Sequence, residues 1–180
     1  MKEYKATQMA GKLCYFTCGK FSKLPIRDFL NEQHSGSKME PSYETASYNY
    51  FKSCNNRSLV SAVNRGVSHI LFVTRYQGQI ADYQGRCFIT GFYEIGLVGE
   101  NFERRIYIEA SKMAFTEIQN AFEVTAYMWK KICPTTSRSE LRNLRWCTQV
   151  VKGPLLNEIL FQLNDHNVVN DYIKQLKYGW

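Results

Sequence analysis

Between residues 69 and 96 two runs of β-branched and aromatic side chains flank a polar turn, and a chain that carries them must build sheet before anything else. The first run is His69, Ile70, Leu71, Phe72, Val73, Thr74, Arg75 and Tyr76; the second starts at Arg86 and Cys87 and continues to Gly96. Residues 76–85 hold Gly78 and Gly85, so an antiparallel hairpin is the natural connection. Gly91 interrupts the second run, where a bulge or the close approach of another backbone is expected, a device that bends sheets. Residues 105–110 alternate in the manner of a half-buried third strand.

The remaining pattern mixes strands with helices. Residues 12–18 read as a strand bounded by Gly11 and Gly19, and Pro25 opens a short helix through Ile26, Phe29 and Leu30. Residues 34–56 are rich in Ser, Asn, Tyr and Gly, and read as a long ordered loop. Ser58 is placed to cap a helix through Leu59, Val60, Ala62 and Val63 that stops at Gly66. Thr116 is placed to cap a longer one over residues 117–132, with Ile118, Ala121, Phe122, Met128, Trp129 and Ile132 as its apolar face and Pro134 as its end. Residues 144–151 read as a strand. Two closing helices follow, with stripes at Leu155, Leu156, Ile159, Leu160 and Leu163 and at Val168, Val169, Tyr172, Ile173 and Leu176. The expectation is an α+β fold in a single domain over residues 1–180, with a sheet and helices over 1–153 and a helical appendage over 154–180.

Several function classes are excluded at this level. No apolar stretch approaches the roughly 20 residues of a membrane helix, and no apolar signal core follows Met1, so a cytoplasmic protein with no membrane partner is expected. Cys14, Cys18, Cys54, Cys87, Cys133 and Cys147 are expected as reduced thiols. Cys14 and Cys18 in one strand stand roughly 13 Å apart, too far to share a metal, and the other cysteines are scattered, so no metal and no cofactor is expected. His34, His69 and His166 show no spacing with a nucleophile, and phosphate-cradling or nucleophile-elbow motifs are absent. The one catalytic alternative is a metal-dependent nuclease built on Glu109, ahead of Lys112, with Asp82 or Glu94 as its second carboxylate.

The charge balance points elsewhere. With 23 Lys and Arg against 16 Asp and Glu, the net charge is +7 and the pI is near 9.1, which draws the chain toward polyanions. Aromatic residues make up 14% of the chain, and flat rings beside cations suit stacking on unpaired bases. Thr74, Arg75 and Tyr76 close one strand, Tyr93 and Glu94 lie in its partner, and Asn143, Arg145 and Trp146 open another. These side chains are expected to converge at one mouth of a curved sheet and to form a base-reading pocket; Tyr15 and Thr17 are further nucleic-acid-binding candidates.

The hairpin over residues 70–95, with its Gly91-Phe92-Tyr93-Glu94 step and the continuation over 105–115, is similar to the barrel of the PUA-like superfamily, which includes the EVE, ASCH and YTH domains. That resemblance implies a small, strongly bent mixed β-barrel flanked by helices. It also implies binding of RNA or DNA, often through a modified base held by aromatic rings, for which Tyr15, Tyr76, Tyr93 and Trp146 are the candidates. A third possibility is a protein-interaction domain whose closing helices dock a partner or a second copy of the chain.

Overall fold

The computed structural model describes residues 2–15, 41–44, 47–52, 56–100, 106–134 and 150–171. In chain order the elements are β1 (Lys2–Glu3), β2 (Gln8–Tyr15), β3 (Pro41–Glu44), β4 (Ser47–Lys52), α1 (Asn56–Asn64), β5 (Val67–Arg75), β6 (Cys87–Glu100), β7 (Ile106–Phe115), β8 (Phe122–Glu123), α2 (Ala126–Ile132), β9 (Val150–Lys152) and α3 (Gly153–Asp165). The α+β class expected from the sequence is therefore the one observed. The helix expected after Pro25 and most of the strand expected over 144–151 lie outside the described residues.

The expected hairpin is the centre of the molecule. β5 and β6 pair antiparallel from His69 opposite Glu94 to Arg75 opposite Cys87, and the register slips where Phe72 faces Gly91 and Val73 faces Ile89. Thr90 is the extra residue of this bulge, next to the glycine that announced it. A Cβ on Gly91 would overlap the Phe115 ring and crowd the Ala114 carbonyl, so only glycine lets β7 approach here. Among the described residues the sheet has nine strands, running β3-β4-β7-β6-β5-β2-β9 with β1 and β8 added along β6. Among the described residues all pairings are antiparallel except β2 with β5, which are parallel and separated in the chain by the β3–β4 hairpin and α1.

Three expectations are corrected. The sheet is open, not a closed barrel: β3 and β9 end the path and, among the described residues, do not pair. Part of the supposed loop over 34–56 is a hairpin, β3 with β4, which docks on β7 through Tyr50 opposite Glu109 and Phe51 opposite Ile108. The long helix over 117–132 is instead a 3-10 turn (Ile118–Asn120), the short strand β8 against Phe88 and Ile89, and α2, whose N-cap is Thr125 with its Oγ1 accepting the Met128 N–H at 3.2 Å. Gly66 does end α1, at a φ of +74°, although the helix starts ahead of Ser58.

Alternation along β5 divides the core in two. Ile70 and Phe72 join Leu59 and Ala62 of α1, Tyr93 and Phe115 on one face. Leu71 and Val73 join Ile89, Phe92, Trp129 of α2 and Leu156, Ile159, Leu160 and Leu163 of α3 on the other. β5 is consequently buried on both sides from Val67 to Thr74. The stripe of α3 packs on its own sheet, and Val169 extends the α1 side in the same way. Burying each such Leu, Ile or Phe contributes roughly 1.5–3 kcal/mol, which makes α3 a major stabiliser of the sheet.

Candidate functional site

The register of the central hairpin decides which candidate residues meet. Thr74, Arg75 and Tyr76 lie at the end of β5 that pairs with Cys87 and Phe88, whereas Glu94 pairs with His69 at the other end. The two groups are separated by roughly 20 Å of strand, so they do not form one mouth. Thr17, Asn143, Arg145 and Trp146 lie outside the described residues.

The rings divide as well. Tyr93 is 0% exposed and packs edge-on against Phe72 and Phe115, with ring centroids 4.9 and 5.7 Å away. Its phenol is pushed well above the ordinary value by burial. Tyr76 is 4% exposed and stands edge-on to Tyr83 at 6.2 Å, its hydroxyl accepting the Ile80 N–H at 3.4 Å. Both belong to the α1 side of the core, while Tyr15 packs on the α3 side. The expected cage is corrected accordingly: Tyr76 and Tyr93 are structural rings in a filled interior, and Tyr15 is on the opposite face.

Arg75 has a local partner. Its guanidinium hydrogen-bonds the Cys87 thiol across the ladder, and that thiol is raised by burial against the opposing influence of the arginine. Thr74 is fully buried. Around the adjoining turn, Arg86 forms a two-pronged pair with Glu123, one arm at 2.8 Å, and lies 5.5 Å from the Tyr83 ring centroid. The pairing holds the Glu123 carboxyl below its usual range. Arg86 thus ties the turn to β8 through Glu123.

No family model matches the chain, and neither does any curated protein or solved structure. The site is therefore read from its own chemistry.

The polar side chains that do come together form a row across three strands: His69 on β5, Glu94 on β6 and Lys112 on β7 occupy successive register positions. His69 is 5% exposed and edge-on to Phe92, and its Nδ1 lies 2.7 Å from Ser68 Oγ. Burial lowers its pKa, Glu94 opposes that shift and Lys112 adds to it. Ser68 Oγ also accepts the Ala10 N–H at 3.0 Å, where the β2–β5 register is broken. Glu94 stood among the binding candidates, Lys112 was named only beside Glu109 and His69 only for lacking a nucleophile partner; the row itself was missed because nothing local reports which residues two bulged ladders bring opposite one another.

The carboxylates of the nuclease alternative are not gathered. Asp82 lies in the 3-10 turn (Ala81–Tyr83) beyond one end of the hairpin, Glu94 is at the other end, and Glu109 pairs with Leu97 further along. Among the described residues no group of three His, Cys, Asp or Glu side chains is arranged to hold a metal, and no helix is long and apolar enough to cross a membrane.

Proposed function

We propose that the chain is a nucleic-acid-binding domain that holds its ligand chiefly through the phosphate backbone. The observation that carries this reading is the net charge of +7 on an otherwise ordinary globular composition. The dispersal of Asp82, Glu94 and Glu109 along the hairpin and β7 favours a binding role over the metal-dependent nuclease alternative. The proposal does without the Tyr76 and Tyr93 cage, whose rings are taken up by the core. It keeps the PUA-like relationship as a reading of the bulged hairpin around Gly91, and a closed barrel is not required for it.

Phosphate-led binding has a direct test. Affinity for single-stranded and duplex RNA and DNA is measured over a range of salt concentrations; each neutralised phosphate contributes a slope of about 0.7 (single strand) to 0.9 (duplex) in log affinity against log salt. A slope of several units is expected. A flat dependence, or no binding at low salt, overturns the reading.

A further inference from the structure

We infer that the outward face of α2 is a docking surface for single-stranded nucleic acid, with Tyr127 stacking on a base and Lys130 and Lys131 meeting the flanking phosphates; this rests on the nucleic-acid reading above. α2 is amphipathic over its short length. Trp129 and Ile132 point into the core with Met128 packed beside them, which leaves Tyr127, Lys130 and Lys131, at i, i+3 and i+4, together on the solvent side.

Tyr127 is 68% exposed, although a tyrosine ring is among the larger apolar surfaces a chain can bury. Lys131 Nζ lies 4.4 Å from the centre of that ring, so an ammonium and a flat π-face are already paired. No carboxylate occurs from Val124 to Pro134, which keeps the local charge positive. Lysines in the last turn also offset the negative end of the helix dipole, but that duty does not call for an exposed ring one turn earlier. A ring with adjacent cations is the combination by which single strands are bound without base-specific contacts.

The contrast with α3 sharpens the choice. Among the described residues Phe161 is the other prominent exposed ring, at 74%, and it shares its helix face with Glu158 and Asp165, whose charges repel phosphates. Charge complementarity therefore selects α2.

The test uses the full chain and a labelled single-stranded oligonucleotide of about 16 nucleotides, as RNA and as DNA, with a duplex of equal length and poly-glutamate as comparators. Tyr127→Ala is expected to weaken single-strand binding by about 5- to 150-fold, the range for one stacked base, and to change duplex binding little. Tyr127→Phe keeps the ring and should bind as the wild type does. Changing Lys130 and Lys131 together to Gln should weaken binding and reduce the salt slope by about 0.7 for each phosphate lost. Unchanged thermal melting of these solvent-face variants shows that folding is intact. If the wild type binds and Tyr127→Ala and the double Gln variant bind equally well, this surface is wrong and the nucleic-acid reading stands. If the wild type binds no oligonucleotide, both fall; tighter binding of poly-glutamate than of oligonucleotides overturns the inference in favour of an acidic protein partner.

Discussion

Asn167 Oδ1 accepts the backbone N–H of Phe115 at 3.1 Å, and the same oxygen accepts the N–H of Val169 at 3.1 Å. One side chain thus closes the end of β7 and caps the helical turn that begins at Val169, while the Val168 N–H returns to the Phe115 carbonyl at 2.9 Å. Phe115 is itself fully buried against Phe72 and Tyr93, so the closing segment is fastened to the aromatic centre of the core.

Asn167→Ala should therefore cost about 1–3 kcal/mol, because it leaves the Phe115 N–H without its acceptor and removes a cap. Asn167→Asp keeps an acceptor oxygen and should cost much less. Urea denaturation of the two variants measures the difference, and amide exchange should accelerate at Phe115 and Val169 in the alanine variant alone. Equal stability of both variants with the wild type would show that the Asn167 bonds do not hold the closing segment in place.

Legibility in the sequence followed how local each structural decision was. The β5–β6 hairpin, its bulge at Gly91, the end of α1 at Gly66 and the apolar stripe of α3 are all written in short windows, and all were readable. Residues 117–132 misled because Ile118, Ala121 and Phe122 fall at helical spacing by coincidence: Phe122 is drawn into β8 by pairing with Ile89, a partner that only the folded hairpin supplies. The β3–β4 pair was missed for a related reason, since its Tyr- and Ser-rich strands are stabilised by docking on β7 rather than by their own apolar alternation. For the site, residue type was readable but position was not. Tyr93 and Glu94 are neighbours in sequence and point to opposite faces, and the bulges that fix their partners cannot be counted from sequence alone.

Acid sensitivity follows from His69. Burial lowers its pKa in the folded protein from the ordinary 6.5, so the unfolded chain takes up a proton first as pH falls. Stability is then complete above about pH 6.5 and declines below it, by at most about 1.4 kcal/mol per pH unit for one proton. Glu94 limits the decline by favouring the charged imidazole, whereas Lys112 on the adjoining strand sharpens it. Glu123, held low by Arg86, contributes in the same direction at pH values below its ordinary 4.5. Urea midpoints measured from about pH 5 to 8 should slope downward on the acid side in the wild type and flatten in His69→Gln. An identical slope in both would assign the effect to other groups.

Thr90 and Thr116 make an unusual pair at the bulge. The Thr116 N–H bonds to the Thr90 carbonyl at 2.9 Å, both side chains are fully buried, and neither hydroxyl has a hydrogen-bond partner among the described residues. A buried hydroxyl without a partner carries a desolvation penalty that an isosteric methyl does not, while the β-branched shape that suits a strand is retained. Changing both residues to Val should accordingly raise stability, by roughly 1–3 kcal/mol. Thermal and urea unfolding of the single and double variants would show it as a higher midpoint with an unchanged urea m-value. A loss of stability in each single variant, with the double variant losing less than the two singles combined, would mean that the hydroxyls are engaged together, through an internal water held at the bulge.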